Sequence, residues 1–353
     1  MYDVVIIGAG QAGLAAGYHL QKSNLDYVIL EASEQTAGSW PKYYNHLVLF
    51  SPAQYSSLPG LDIDGGCDSY PNKDAVIQYL NDYRNYFNLN VQTRKKVEKI
   101  KKSNHFFSLK TVDQKLYKAR AVICATGSFN NPHIPNIDNM STFEGKLMHS
   151  FQYREANTFK DERVVVVGGR NSAVQIAVEL AQVANVSIAT RTPIKYIPQR
   201  LLGKDGHFWG RLIGYDTFPI GLWRNVNDKE PVIDLGGFKK AIEENHNPDQ
   251  RNMFTRFTKD GVVWSDGLKE YVDTVIFATG YKPRFDYLES LKTVNKKGSP
   301  LQKGGISSNI DGLYFVGLHW QRSHASATLR GVGPDAKFVI KHLKKFLNSV
   351  KNE

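Results

Sequence analysis

The stretch "DVVIIGAGQAG", residues 3–13, decides the fold. An apolar run leads into three glycines spaced as G-x-G-x-x-G (Gly8, Gly10 and Gly13), helical periodicity follows, and a second apolar run, "YVILE", comes next. A strand, a glycine turn, a helix and a strand within about 30 residues are the fingerprint of a dinucleotide-binding unit. Such glycines let the backbone approach a pyrophosphate at the helix N-terminus, where free N–H groups favour negative charge.

An acid ends the second apolar run of this unit. Glu31 lies 23 residues after Gly8, where a carboxylate can accept hydrogen bonds from ribose hydroxyls. The first unit is therefore predicted to bind an adenosine without a 2′-phosphate. Gln11 and Ala12 in the turn belong to its predicted cofactor contacts.

The stretch "RVVVVGGRNSA", residues 163–173, repeats the plan, except that Arg170 stands where the fingerprint has its second glycine. Counting 23 residues from Gly168 reaches Arg191, and a guanidinium can pair with a 2′-phosphate through two hydrogen bonds. The second unit is predicted to bind NADP rather than NAD, with Arg170 pairing with phosphates. The alternatives are a degenerate site and an Arg191 that is only a surface residue. The predicted contacts are Gly168, Gly169, Arg170, Asn171, Ser172, Ala173, Arg191 and Thr192.

Two further apolar runs copy each other, "AVICATG" ending at Gly127 and "TVIFATG" ending at Gly280. In a doubly wound sheet, each such strand returns beside its own nucleotide site. The sequence thus predicts an α/β fold with two Rossmann-like dinucleotide-binding domains, the second inserted into the first. The predicted domains are residues 1–155, 156–281 and 282–353, the last forming the return of the first domain with "GLYFVG" and a closing helix. The predicted contacts here are Ala125, Thr126, Gly127, Thr279, Gly280, Tyr281 and Gly317.

Composition narrows the class of protein. The net charge of +11 is spread along the chain, and the basic run at 94–102 alternates like a strand with a solvated face, so no nucleic-acid partner is expected. Val97 in this run is counted among the cofactor contacts. No apolar stretch approaches the roughly 20 residues of a membrane span, so a cytoplasmic location without stable membrane association is expected. Cys67 and Cys124 form no C-x-x-C pair, which disfavours a dithiol redox centre.

The segment between the two units carries a further motif. "FEGKLMHSFQY", residues 143–153, matches F-x-G-x-x-x-H-x-x-x-[F/Y/W], and "GSW" at 38–40 and "FATGY" at 277–281 accompany it. Together with both glycine turns, this set resembles the class B flavoprotein monooxygenases, that is, the flavin-containing monooxygenases and their Baeyer–Villiger relatives. The length of 353 residues is most similar to the compact bacterial members.

The resemblance implies the cofactors and the reaction. FAD would occupy the first unit, with contacts that include Gly38, Ser39 and Trp40, and NADPH the second. In this class NADPH reduces the flavin, O2 forms a C4a-(hydro)peroxyflavin, and a small sulfide, amine or ketone is oxygenated. His149 would couple the nicotinamide to these steps. The alternative for His149 is a histidine that satisfies backbone carbonyls at a domain junction.

The chain also departs from the pattern of the family. Larger members carry an asparagine beside the flavin ring, where this chain has Phe50 or Ser51. Because a phenylalanine donates no hydrogen bond, loss of electrons to O2 as H2O2 becomes an alternative outcome. The predicted catalytic positions are His149, Phe50 and Ser51. His319 and His324 lack the spacing of metal ligands, and no metal is expected.

Two alternative functions and three structural questions stay open. The alternative functions are an NADPH-dependent flavin reductase or oxidase and a non-catalytic FAD/NADP(H) sensor. The aromatic-rich segment 207–224 suits a mobile lid, a pocket wall or a packed insertion. Gly331, Gly333 and Pro334 are predicted to start the last helix, and its basic stretch 337–351 to close the domain rather than touch a membrane. The oligomeric state is open, with a homodimer as one option.

Overall fold

The structure, a computed structural model, describes residues 1–223 and 231–350; Arg224 and Lys351, which end two of the segments above, lie outside the described residues. The strands are β1 Tyr2–Ile7, β2 Tyr27–Leu30, β3 Val91–Gln92, β4 Val97–Lys102, β5 Phe107–Thr111, β6 Leu116–Cys124, β7 Lys146–His149, β8 Arg163–Val167, β9 Asn185–Thr190, β10 Tyr196–Pro198, β11 Arg200–Leu201, β12 Lys204–Asp205, β13 Val232–Asp234, β14 Asp249–Asn252, β15 Arg256–Phe257, β16 Gly261–Val263, β17 Lys269–Tyr271, β18 Thr274–Phe277, β19 Gln302–Lys303, β20 Ile306–Ser307 and β21 Leu313–Phe315. The α-helices are α1 Gln11–Gln21, α2 Lys73–Tyr86, α3 Asn171–Leu180, α4 Gly206–Leu212, α5 Phe238–Glu244 and α6 Leu329–Ser349.

The first sheet is built around the opening stretch of the chain. Its parallel centre has the order β3-β2-β1-β6-β21, and β20 and β19 extend it in antiparallel pairing. The β4–β5 hairpin joins through β6. Both faces of this centre are covered, which is why residues 4–7 of β1 and residues 121–124 of β6 are continuous apolar runs. The strands predicted at "AVICATG" and "GLYFVG" are confirmed.

The second sheet repeats this plan with five parallel strands in the order β14-β9-β8-β18-β7. The α/β fold with two Rossmann-like units, the second inserted into the first, is confirmed. One strand differs from the predicted boundary at 155/156. β7 pairs with β18, with His149 opposite Phe277, so it belongs to the second sheet although it precedes that boundary. The pairing spans more than a hundred residues, which no local pattern reveals.

Helices cover one face of each sheet and β-structure or irregular chain the other. α1, α2 and α6 pack on the first sheet around the fully buried Leu14, Leu80 and Leu343. α3 packs on the second sheet, and the antiparallel sheet of β15, β16 and β17 covers its opposite face. The nucleotide turns therefore lie at the edge where the strands end and the helices begin.

The last helix begins earlier than predicted. α6 starts at Leu329, so Gly331, Gly333 and Pro334 lie inside it rather than at its start. Leu329 and Val332 are buried in the core, which extends the helix toward its N-terminus. In residues 1–223 and 231–350, no helix combines the length and the apolar content that crossing a membrane requires.

Candidate functional site

The first turn (residues 8–13) is closed against the strand β6 that leaves the first unit. Gly8 has φ +101°, and a Cβ built on it would lie 2.8 Å from the carbonyl oxygen of Ala125. A Cβ on Gly13 would lie only 1.8 Å from the carbonyl oxygen of Gly8. Both positions therefore require glycine, and the backbone of the turn is left open to a ligand.

The "GSW" segment folds over this turn. Gly38 has φ +58°, and its Cα faces Gly10 so closely that a Cβ would lie 2.9 Å from the Gly10 Cα. Trp40 donates from Nε1 to the side-chain oxygen of Gln11 at 2.7 Å, and Gln11 donates to the carbonyl of Ala327 at 2.7 Å. The structure thus brings the turn, the "GSW" segment and the start of α6 together.

Four other predicted contacts of the first unit are Gly317, Ser39, Thr126 and Gly127. A Cβ on Gly317 would lie 2.7 Å from the Cβ of Ala12, so the end of the last strand touches α1. Ser39 lies 3.4 Å from the hydroxyl of Tyr43, and Thr126 3.0 Å from that of Tyr287. Gly127 has φ +60° just after β6.

Glu31 is buried at the end of β2 with both carboxylate oxygens in use. One oxygen accepts the N–H of Ala9 at 2.6 Å, and the other accepts the N–H and hydroxyl of Ser33 at 2.8 and 2.6 Å. The oxygen that accepts the N–H of Ala9 retains a lone pair for a ribose hydroxyl. The N–H of Lys95 donates to the Glu31 carbonyl at 2.7 Å. Val97 lies two residues further on, and its side chain is buried in the core.

The first unit fits the adenosine half of FAD. α1 begins at Gly10, which offers no side chain to cap the first N–H groups of the helix. Such N–H groups, beside a backbone that glycine leaves uncovered, form a cradle for a pyrophosphate. Glu31 stands at the distance along the unit that the ribose requires.

The second turn (residues 168–173) has the same backbone geometry. Gly168 has φ +144°, and a Cβ on it would lie 2.5 Å from the carbonyl oxygen of Ala278 after β18. α3 begins at Arg170 without a side-chain cap, so its first N–H groups match those of α1. Arg170 is exposed with φ −121°, a conformation open to any residue, so the backbone of the turn does not require a glycine there.

The remaining predicted contacts of the second unit divide into exposed and packed residues. Arg191 and Thr192 are exposed directly after β9. Asn171 accepts the N–H of Ile233 at 3.2 Å, Tyr44 of the first unit donates its hydroxyl to Gln175 of the same helix at 2.5 Å, and Ala173 is buried; Ser172 is the second residue of this helix. Gly169 faces Thr190. The turn and Arg191 therefore stand at the same edge of the sheet, as Glu31 and the first turn do.

His149 ends β7 with both ring nitrogens engaged by the backbone. Nδ1 accepts the N–H of Phe151 at 3.0 Å, so Nε2 carries the proton and donates to the carbonyl of Gly280 at 3.0 Å. Burial lowers the pKa of His149, which keeps the ring neutral. The imidazole also meets Tyr281 edge to face at 5.0 Å between centroids. His149 therefore fixes the "ATGY" turn by a hydrogen bond to a backbone carbonyl. This is the geometry of the alternative in which His149 satisfies backbone carbonyls at a domain junction.

Two chain crossings between the units run side by side at this point. Pro132 bridges Tyr281 in antiparallel fashion, and Lys282 donates its N–H to the carbonyl of Asn131 at 3.0 Å. Thr279 donates its hydroxyl to the carbonyl of His133. The predicted contacts Thr279, Gly280 and Tyr281 are thus brought to the junction of the two units.

Phe50 and Ser51 face different surroundings. The Ser51 hydroxyl is buried and lies 2.8 Å from that of Ser56 within its own loop. The Phe50 ring stacks on His207 with 5.9 Å between centroids. Of the two, Phe50 is the residue that meets the second unit.

Sequence reasoning missed a group of acids and histidines of which His207 contacts Phe50. Asp205 and His207 are both buried and bond each other, and Asp216 accepts from His324 at 3.1 Å and Arg330 at 2.9 Å. Burial acts to raise the pKa of Asp216, but these hydrogen bonds hold it well below its ordinary value. The signal in the sequence that could have pointed to Asp205 and His207 is the spacing D-x-H at 205–207. This spacing is common and by itself indicates no function.

Comparisons with known proteins can now be set beside this geometry. The profile of the pyridine nucleotide-disulphide oxidoreductase family matches residues 5–200. The chain is 32% identical to the oxidoreductase CzcO of Bacillus subtilis over 97% of this chain and 99% of that protein. It is 30% identical to the probable indole-3-pyruvate monooxygenase YUCCA1 of Arabidopsis thaliana over 80% of this chain and 76% of that protein. A solved variant of the flavin monooxygenase from Stenotrophomonas maltophilia has a TM-score of 0.88 at 30% identity and covers 98% of this chain and 99% of its own.

Proposed function

Because the chain belongs to the pyridine nucleotide-disulphide oxidoreductase family and, within it, to the flavin monooxygenases, we propose that it uses NADPH in preference to NADH to oxygenate a small sulfide, amine or ketone. FAD and NADPH are its cofactors. The observation that carries the NADPH preference is the change from the buried acid Glu31 after the first turn to the exposed base Arg191 after the second.

The residues of the first turn would hold the pyrophosphate of FAD and Glu31 its ribose. The second turn would hold the pyrophosphate of NADPH, with Arg191 on the 2′-phosphate and Arg170 beside the pyrophosphate. Bound FAD supplies the redox chemistry, because it accepts a hydride from NADPH and delivers electrons to O2. The chain itself has to bind, orient and exclude water.

His149 acts in this proposal as a positioning residue. Its two backbone hydrogen bonds join the end of β7 to Gly280 and place the Tyr281 ring at the junction between the units. The aromatic rings of Phe129 and Phe151 also meet Tyr281, at 5.5 and 6.3 Å between centroids. This apolar cluster would exclude water from the path between the two cofactors.

A second candidate function is an oxidase that returns electrons to O2 without oxygenating a substrate. One observation favours it: Phe50 or Ser51 stands where larger family members carry an amide, and the Phe50 ring has no hydrogen-bond donor while the Ser51 hydroxyl is paired with that of Ser56. A disulfide reductase is disfavoured by the thiols. Cys67 is exposed and Cys124 buried, and burial raises the Cys124 pKa to about 12, so the two form no working pair.

Isotope labelling separates the two functions. The FAD-loaded enzyme would be mixed with NADPH and methyl phenyl sulfide, benzyl methyl amine or cyclohexanone under ¹⁸O2, with H2O2 measured in parallel. We expect ¹⁸O in the product of at least one substrate, in proportion to the NADPH consumed. H2O2 equal to the NADPH consumed, with no labelled product, would contradict the monooxygenase proposal and favour the oxidase.

A further inference from the structure

A buried acid and histidine lie where the second unit reaches across to the first. The β11–β12 hairpin and α4 lie between β10 and β13 of the second unit, and Arg200 of the hairpin forms an ion pair with Asp68 of the first. Asp205 is 4% exposed and His207 8% exposed. Two polar residues buried this deeply need hydrogen-bond partners, and those partners define their orientation.

The hydrogen bonds of Asp205 fix the ring of His207. One carboxylate oxygen accepts the His207 backbone N–H at 2.7 Å and faces the ring Nδ1 at 2.7 Å. The other accepts the Tyr70 hydroxyl at 2.6 Å. Burial acts to raise the pKa of Asp205, but the hydrogen bonds from His207 and Tyr70 outweigh it and lower the pKa.

An ionised carboxylate only accepts hydrogen bonds, so Nδ1 of His207 carries a proton. In the neutral ring Nε2 then presents a lone pair. Among the residues that the structure describes, none forms a hydrogen bond with this Nε2. An acceptor that a second residue orients and that has no protein partner is available to recognise a ligand.

The His207 ring lies beside two aromatic side chains of the first unit. It is nearly parallel to Phe50, with 5.9 Å between centroids and 18° between planes, and to Tyr55, with 6.3 Å and 27°. The loop that carries these two rings shares a core with the start of α6, since Leu49 and Leu58 are buried with Leu329.

The neighbouring segment leads to the first turn. Asp216 donates its N–H to the carbonyl of Gly210 in α4 and accepts hydrogen bonds from Arg330 of α6, and its own carbonyl accepts the N–H of Ala325. Two residues further on, the carbonyl of Ala327 accepts the hydrogen bond from Gln11. Hydrogen bonds thus connect α4, which carries His207, through Asp216 to the start of α6 and to the first turn.

We propose that His207 is the specificity-determining residue of the substrate pocket: Nε2 accepts a hydrogen bond from an O–H or N–H group of the substrate, while Phe50 and Tyr55 contact its apolar part. Asp205 is the positioning residue that keeps the proton on Nδ1. This inference rests on the proposed function and narrows its substrate class to small sulfides or amines that also carry a hydroxyl or N–H group.

Two probes that differ by one hydroxyl test the proposal. Methyl phenyl sulfide and 4-(methylsulfanyl)phenol would be titrated calorimetrically into the oxidised, FAD-loaded enzyme without NADPH. We expect the wild type to bind the phenol about fivefold to tenfold more tightly, the ratio that one hydrogen bond provides.

Two amide variants locate the responsible nitrogen. In His207→Asn the amide reaches the Nδ1 position and keeps the bond to Asp205, but nothing replaces Nε2, so the preference for the phenol should disappear. In His207→Gln the amide reaches the Nε2 position, so the preference should persist. A merely structural role of His207 would give the opposite order, because Asn preserves the structural bond.

Three results would overturn the proposal: equal affinities of the two probes in the wild type, a preference that survives in His207→Asn, or no binding of either probe. The titration needs neither NADPH nor O2. Failure of oxygenation in the isotope experiment, with the binding preference intact, would therefore count against the proposed function and leave the role of His207 standing.

Discussion

The two glycine turns share a backbone and differ in charge. Gly8 and Gly168 both have positive φ, and each lies against the carbonyl of an alanine that follows β6 or β18. After the second strand of each unit, the first carries a buried carboxylate and the second an exposed guanidinium. The comparison supports the proposal that the backbone would fix where a dinucleotide lies, and that one side chain beyond the second strand would select which dinucleotide it is.

The sixth position of the turns gives the largest expected effect. Gly13→Ala would place a Cβ 1.8 Å from the Gly8 carbonyl oxygen, so the turn and α1 must separate. We expect loss of bound FAD and a destabilisation of about 3 kcal/mol. The control is Ala173→Gly at the matching position, which should cost only about 1 kcal/mol. Flavin absorbance per protein and thermal unfolding measure both; stoichiometric FAD in Gly13→Ala would contradict the geometry.

The second largest effect is expected at Arg191, which directly follows β9, the second strand of the second unit. Arg191→Ala should raise the KM for NADPH about tenfold and leave that for NADH nearly unchanged, because only NADPH carries the 2′-phosphate. Steady-state oxidation of both nucleotides measures the split. Lys240→Ala removes another exposed charge from the same unit and should change neither KM. Equal increases of the KM for NADPH and the KM for NADH in Arg191→Ala would contradict the assignment of Arg191 to the 2′-phosphate.

One histidine in each unit links the comparison to pH. His19 on α1 donates to the Gly333 carbonyl at 3.2 Å, and burial lowers its pKa to about 4. The unfolded histidine takes up its proton near pH 6.5, so stability from His19 is lost as the pH falls from about 6.5 toward 4. His149 acts in the same direction. Asp335 acts oppositely, because burial raises its pKa to about 6.

We expect His19→Gln to reduce the loss of stability between pH 7 and pH 4 by about 1–2 kcal/mol, after allowance for the partial exposure of the ring. Denaturant unfolding of variant and wild type at each pH measures the difference and cancels the contribution of Asp335. Parallel curves for the two proteins would show that His19 does not titrate with folding.

The third position of the turns gives the smallest effect. Arg170→Gly restores the fingerprint, but φ at this position already suits any residue, so stability should change by no more than about 0.5 kcal/mol. NADPH affinity should change less than in Arg191→Ala. Fluorescence titration with NADPH is the measurement, and complete loss of binding would make Arg170 the principal phosphate ligand.

The parts of this fold that local sequence determines were predictable. Both turns, the strands that flank them and the two "ATG" strands follow from apolar runs and glycine spacing, since a buried parallel strand has no polar alternation. The closing helix follows from its periodicity, but its start does not. Leu329 and Val332 extend α6 because they are buried by distant residues, while Gly331 and Pro334 favour a later start locally.

The candidate site was predictable only along the turns. Glu31 and Arg191 stand at a fixed count from their glycines, so spacing alone finds them. β7, which carries His149, is placed by pairing with β18 far along the chain. Asp205 and His207 reach Phe50 only because the second unit folds across to the first. Such contacts between distant segments depend on tertiary packing, so local periodicity does not predict them.

The most direct test of whether the first turn binds FAD and the second turn binds NADPH uses fragments of the nucleotides. The FAD-loaded enzyme and its Arg191→Ala variant would be titrated calorimetrically with adenosine 2′,5′-bisphosphate and with adenosine 5′-monophosphate. We predict that the bisphosphate binds the loaded enzyme at least about tenfold more tightly and that Arg191→Ala abolishes the difference. Equal affinities of the two compounds for the wild type, or binding of the bisphosphate only after FAD is removed, would contradict the assignment of FAD to the first turn and NADPH to the second.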